Sequence, residues 1–344
     1  MLALCKTTWF NCLIKGISFD HHKIEDRMTV NLNLNAGALR IVNRAHARIN
    51  ELGLEVSKTE ANGTFLDFGI KAKGGIQAGL ELARACMSGL AKISLAPSHL
   101  DLWKGPAIAV ATDHPVLSCL ASQYAGWQIA VGKFFAMGSG PMRAHYGSED
   151  LFNHIPGREK STHVVGILET SKAPDSAVFD YLSSKLELPH ENITLLGAPT
   201  GSVAGSIQIV ARSVETAMHK LHELKFPIDA IKQGAGWAPL APPSPDFTEA
   251  IGRTNDAILY GAAVHLWVDT EDDIIASFGP KVPSNSSSDH GQPFAEIFRK
   301  VKGDFYKIDP LLFSPATVHF YNLKTGRCFQ FGKFETNLLN KSWN

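Results

Sequence analysis

Short apolar runs of strand length alternate along this chain with longer segments of helical spacing, and that alternation predicts an α/β fold. The runs TFLDFGI (64–70), AIAVATD (107–113), THVVGILET (162–170) and NITLLGAPT (192–200) read as strands. Helical patterns occupy 36–56, with Gly53 as a stop, and then 73–90, 115–132, 173–186 and about 202–224. KFFAMGSGPMRA (133–144) is a strand-like run that ends in a glycine turn. Residues 248–269 begin as a helix and become a strand near Ala262, and 316–332 form a hairpin around Lys324-Thr325-Gly326. The Pro- and Gly-rich stretch 227–246 is predicted to be irregular, and 283–293 to be a polar loop. Loops of that length inside a compact protein often carry function.

Composition narrows the class. Hydrophobic residues make up 44% and charged residues 19% of 344, enough apolar material for a sizeable core. Lys+Arg and Asp+Glu both number 33, so no polyanion-binding surface is indicated, and nucleic acid is not an expected partner. The five cysteines, Cys5, Cys12, Cys86, Cys119 and Cys328, are odd in number and lack CxxC spacing. Core residues or free thiols in a reducing compartment fit them better than a disulfide framework or a zinc site. No apolar run reaches the roughly 18–20 residues that span a bilayer, so no membrane partner is expected. Met28 opens MTVNLNLNAGALRIVNRA as a natural domain start, so the domain is expected over 28–344. Residues 1–27 read as an extension outside the fold, with a cleaved or anchoring leader as the alternative.

Three stretches carry candidate chemistry. In the helical segment 202–224, Val203, Ile207, Val210, Val214, Ala217, Leu221 and Leu224 form one apolar stripe. Gly205, Gln208, Arg212, Glu215 and His219 fall on the far side. An i,i+3 Arg212–Glu215 pair on a wet surface adds only a few tenths of a kcal/mol. Small and amide residues on that face, where Lys and Glu are usual, suit a helix that lines a ligand cleft. Thr200 and Ser202 begin this helix directly after an apolar strand, where free backbone amides can meet an anion. In FAMGSGPMR, Ser139, Gly140 and Arg143 make either an ordinary tight turn or a cradle for a carboxylate or phosphate. In GRTNDAILYG, Arg253, Asn255 and Asp256 are read at the start of a helix, as a cap or as readers of a heterocycle. Fourteen histidines show no HxxxH or HxH spacing, so no metal is expected. No GxSxG marks a serine hydrolase.

The stretches KGGIQAGLELARACMSGL, FFAMGSGPMRA, GAPTGSVAGSIQIVARSVETAMHKLHEL, AIKQGAGWAPLAPPSPDFTEAIGRTNDAILYGAAV and GQPFAEIFRKVKGDFYKIDPLLFSPATV resemble, in order, those of methenyltetrahydromethanopterin cyclohydrolases. The resemblance spans nearly all of 30–340. It implies two α/β lobes with a deep cleft, a cytoplasmic homotrimer, and no metal or other cofactor. It also implies interconversion of 5,10-methenyl-tetrahydromethanopterin and water with the 5-formyl compound. The family's catalytic glutamate falls on Glu215 and its partner arginine on Arg212. Substrate contacts are expected from Ser139, Gly140, Arg143, Thr200, Ser202, Arg253, Asn255 and Asp256. The competing expectation is a non-catalytic pterin-binding protein on the same scaffold. A folate-acting cyclohydrolase shares none of these motifs.

Overall fold

Twelve strands in the described residues form two six-stranded sheets. The structure is a computed structural model that describes residues 32–99, 101–304 and 307–344. The expected extension 1–27, Met28 and the first two cysteines lie outside the described residues. The strands are β1 (Glu55–Lys58), β2 (Thr64–Asp67), β3 (Ala91–Pro97), β4 (Pro106–Thr112), β5 (Trp127–Val131), β6 (Phe134–Ser139), β7 (Val164–Glu169), β8 (Ile193–Ala198), β9 (Ile231–Pro239), β10 (Ala263–Val268), β11 (Thr317–Asn322) and β12 (Cys328–Gly332). The helices are α1 (Leu34–His46), α2 (Ile49–Leu52), α3 (Ile76–Cys86), α4 (Met142–Tyr146), α5 (Ser176–Leu186), α6 (Val203–Val210), α7 (Ser213–Glu223), α8 (Phe247–Gly261), α9 (Asp272–Phe278), α10 (Phe294–Lys300) and α11 (Thr336–Trp343). A wide-turned π helix covers Val116–Gln123. None of the described helices is long and apolar enough to cross a membrane.

The first sheet runs β1-β2-β8-β7-β6-β5, with β2, β8 and β7 mutually parallel and the outer pairs antiparallel. Alternation along its strands sends Leu66, Val165, Ile167 and Leu196 to one face, beneath α1 and α3. Phe65, Val164, Leu168 and Leu195 go to the other face, against Val178, Phe179 and Leu182 of α5. The second sheet runs β12-β11-β10-β9-β4-β3, and only β10 and β11 are parallel. Its Val264, Leu266, Val318 and Phe320 join the large core that also contains Val214, Ala217 and Leu221 of α7.

Several expectations are corrected. The stretch predicted to be irregular contains β9, which lies between β10 and β4. Its glycines have a tertiary cause. A Cβ on Gly236 would stand 2.8 Å from Ser213 Oγ and 3.1 Å from Val214, and one on Gly234 would stand 2.8 Å from Val214. These bare positions let the start of α7 settle close on the sheet. The predicted helix 115–132 is helical only to Gln123 and then becomes β5, where Trp127 and Ile129 alternate inward. The first predicted helix divides into α1 and α2 and does stop at Gly53, at φ 63°. β3 was not anticipated. GRTNDAILYG lies in the body of α8, whose cap is Asp246, with Oδ1 accepting from the Glu249 amide at 2.8 Å.

Candidate active site

The predicted helix 202–224 is two helices, broken at Ala211 and Arg212. No glycine or proline marks the break. The Gln123 side chain, fully buried, donates to the Ala211 carbonyl at 3.2 Å. The Arg212 amide turns back to Ile209 O at 3.0 Å, a tightened closure that ends α6. α7 restarts at once, and Glu215 lies in its first turn, where the helix dipole favours a carboxylate.

The break points Arg212 inward. Its Nη1 donates to Gln123 O at 2.6 Å and its Nη2 to Ser139 Oγ at 3.2 Å. Ser139 in turn contacts Cys86 Sγ, which accepts from Gln208. The supposed polar face is therefore buried: Gln208, Arg212 and Glu215 are 4%, 9% and 4% exposed. The wet-surface reading of the pair does not hold. Arg212 Nη1 stands 3.6 Å from Glu215 Oε2, an ion pair too long for a hydrogen bond. The Glu215 carboxylate thus has Arg212 as its paired cation. Burial pushes its pKa above the ordinary carboxylate value, against the opposing pull of the Arg212 and Arg143 guanidiniums.

Arg212 and Glu215 line a cavity of about 760 Å³, within the usual range for small-molecule sites. Phe135 and Met137 of β6, Ile209 of α6, Ile251 of α8, and Ile308 and Phe313 supply its apolar surface. Glu169, Thr216, His219 and Asn255 add polar groups. His219, one turn beyond Glu215, stacks on Tyr124 with ring centres 4.6 Å apart. Burial lowers its pKa to about 4, so near neutrality its 3.7 Å approach to Glu223 is not an ion pair. A more open hollow of about 570 Å³ at 89–92 and 111–114 holds none of the candidate residues.

Of the ten sequence-predicted residues, Arg212, Glu215 and Asn255 line the cavity, and Ser139 lies directly behind Arg212. The others stand further back. Arg143 is fully buried: it pairs with Glu149 through two contacts, at 2.5 and 2.7 Å, donates to Leu120 O and Ser122 O, and lies 5.0 Å from the Tyr124 ring centre. Gly140 makes the turn after β6 at φ 86°, a conformation that suits glycine, with Ile167 Cδ1 only 2.4 Å from where a Cβ would be. Thr200 donates to Glu169, which does line the cavity. Ser202 caps α6 by accepting from the Gly205 amide at 3.0 Å. Arg253 is half-buried on α8, and its carbonyl accepts from Trp343. Asp256 is buried and accepts from the Phe294 amide at 2.9 Å at the start of α10; burial pushes its carboxyl up to about 7.

Tyr124 and Glu169 were missed, and His219, placed on the cleft-lining face, was not singled out as a site residue. Glu169 had a readable signal: it is a charged residue ending an apolar strand, and ligands of α/β folds gather at the carboxyl ends of parallel strands. His219 had one in its i+4 spacing from Glu215. Tyr124 sits between the π helix and β5, where the sequence offered no signal.

A desolvated acid paired with a guanidinium, in the wall of an amphipathic cavity, defines an α/β enzyme acting on a small molecule. The chain belongs to the cyclohydrolase (MCH) family, matching it over residues 33–343. Its relatives include three proteins named methenyltetrahydromethanopterin cyclohydrolase. That of Rhodopirellula baltica is 45% identical over 290 residues, covering 83% of this chain and 87% of the relative. That of Methylobacterium organophilum is 42% identical over 315 residues, 90% of this chain and 97% of the relative. That of Methanosarcina mazei is 40% identical over 296 residues, 85% of this chain and 92% of the relative.

Proposed function

We propose that this chain reversibly hydrolyses 5,10-methenyl-tetrahydromethanopterin to the 5-formyl compound, with Glu215 as general acid–base and Arg212 as its partner. One observation carries the assignment: Glu215 is desolvated, lines the cavity, and faces a guanidinium that is itself pinned at Gln123 and Ser139. The methenyl bridge is an amidinium-like cation whose carbon is already electron-poor, so the reading needs no metal or other cofactor. It lacks a nucleophile at neutral pH and a proton for the departing nitrogen. As the water oxygen bonds to carbon, the carboxylate takes one water proton. It returns that proton to the side-chain nitrogen as the carbon–nitrogen bond breaks. The remaining hydroxyl proton leaves as the formyl carbonyl forms, so each hydrolysis releases one proton. The negative carboxylate also attracts the cationic substrate.

Burial and Arg212 pull the Glu215 pKa in opposite directions, and the raised net value supports a base stronger than a free carboxylate. The cavity is the part of the fold we assign to the family's cleft, and a cytoplasmic homotrimer belongs to the same reading; light scattering on intact protein tests the assembly. Glu215→Gln should still bind substrate but lose roughly 10²–10⁴-fold in turnover, followed as stopped-flow loss of methenyl absorbance. A near-normal rate refutes the assignment. Binding without hydrolysis by the unaltered protein would favour the non-catalytic alternative.

A further inference from the structure

The cavity holds a second carboxylate with a different environment. Glu169 ends β7, and its row across the first sheet is set by register: Gln128 on β5 pairs with Met137 on β6, which pairs with Glu169. All three line the cavity, with Phe135 two residues along β6 on the same face. This is the face that α1 and α3 cover further back at Val165 and Ile167. Here it lines the cavity, as a floor of Met and Phe with a carboxylate at its edge.

Glu169 has no cation beside it among the described residues. Its one side-chain partner is the Thr200 hydroxyl, which donates to Oε1. Thr200 is 3% exposed and follows β8, which pairs with β7 in parallel, so the strand ends fix the carboxylate's position. Oε2 and the second lone pair of Oε1 are left to accept. A planar carboxylate of this kind matches two parallel N–H donors. Ser139, the anchor of Arg212, pairs with Ile167, two residues before Glu169, so Ser139 and Glu169 are diagonal neighbours about 7–8 Å apart. That offset suits a two-ring heterocycle with one end at the Arg212–Glu215 pair and the other at Glu169.

We infer that Glu169 is the specificity-determining residue for the pterin head, accepting from the N3–H and 2-amino groups of its pyrimidine ring while Met137 and Phe135 support the ring. The inference rests on the proposed reaction, which supplies a pterin. Glu169 takes no part in proton transfer. Its role is to reject heads that present a 2-oxo group, whose lone pairs would face the carboxylate.

Glu169→Gln tests this, because the amide oxygen can still accept from Thr200 while its NH2 opposes the 2-amino group. The Michaelis constant for the methenyl substrate should rise roughly 10–100-fold with kcat little changed. Fluorescence titration with pterin and with lumazine, its 2-oxo counterpart, gives a readout free of turnover. The unaltered protein should favour pterin by roughly tenfold or more, and Glu169→Gln should lose or invert that preference. Glu215→Gln, run in parallel, should keep it. Retained preference in Glu169→Gln, or equal weakening toward both heads, overturns the inference. So does an unaltered protein that turns over the methenyl compound without preferring pterin, and that result leaves the acid–base assignment standing. Normal turnover by Glu215→Gln would remove the acid–base assignment alone.

Discussion

At the scale of single residues, the site works by controlled desolvation. Glu215 and His219 lie one turn apart on α7, and burial drives both toward their neutral forms. For Glu215 this supports its proposed role as a base. For His219 it has a consequence for stability. Its folded pKa, about 4, lies below the ordinary value of about 6.5. Between these values the unfolded chain binds a proton that the folded protein does not, so stability must rise with pH across that window. The contribution is complete above about 6.5 and is lost as pH falls through about 4. Its size is about 2–4 kcal/mol. Glu223 opposes the shift, while the charges of His222, Arg143 and Lys220 reinforce it. Urea unfolding of the unaltered protein and of His219→Phe at several pH values isolates this residue. The stability difference between the two should narrow or reverse from neutral pH to pH 4; a constant difference would remove the assignment.

At the scale of elements, the break between α6 and α7 decides where the Arg212–Glu215 pair points. A continuous helix would satisfy the Ala211 carbonyl within itself; here Gln123 satisfies it from the π helix. The same residue's carbonyl holds Arg212, so one position serves both the break and the guanidinium. Gln123→Met retains length but leaves the Ala211 carbonyl without its donor. The loss should be about 1–3 kcal/mol in denaturant unfolding, with turnover falling more than substrate affinity. Unchanged turnover in a folded variant would show that the break does not depend on Gln123. The glycines of β9 belong to the same arrangement, since they let α7 seat where Val214 meets the second sheet.

At the scale of the whole molecule, α7 is tied to the distant segment that completes the cavity wall. Lys220, 1% exposed, donates to Ser286 Oγ at 3.1 Å and to the Leu311 carbonyl, between the cavity residues Ile308 and Phe313. Burial lowers its pKa to about 8, so near neutral pH it remains largely a cation held by these oxygens. Lys220→Met should release that wall from α7. The Michaelis constant should then rise roughly 5–30-fold, the equivalent of about 1–2 kcal/mol, while far-ultraviolet circular dichroism stays unchanged. An unaltered Michaelis constant would mean that the wall holds its position without the tie.

What the sequence settled by itself was local or carried in long motifs. Period-two and helical spacing identified most strands and helices, because each element must present one apolar face to a core. The long APTGSVAGSIQIVARSVET and GRTNDAILYG blocks pointed to the family, and the first of them singled out Arg212 and Glu215. The tertiary structure decided what depends on partners remote in the chain. The Arg212–Glu215 pair is buried because Gln123, Ser139 and Cys86 converge on the break from other elements. A Pro- and Gly-rich stretch is a central strand because α7 needs space above it. Asp256 meets the α10 amide, and Glu169 meets the cavity, because helix packing and strand register orient them. Periodicity assigns a side chain to a face; only the folded neighbours determine whether that face meets water, core or substrate.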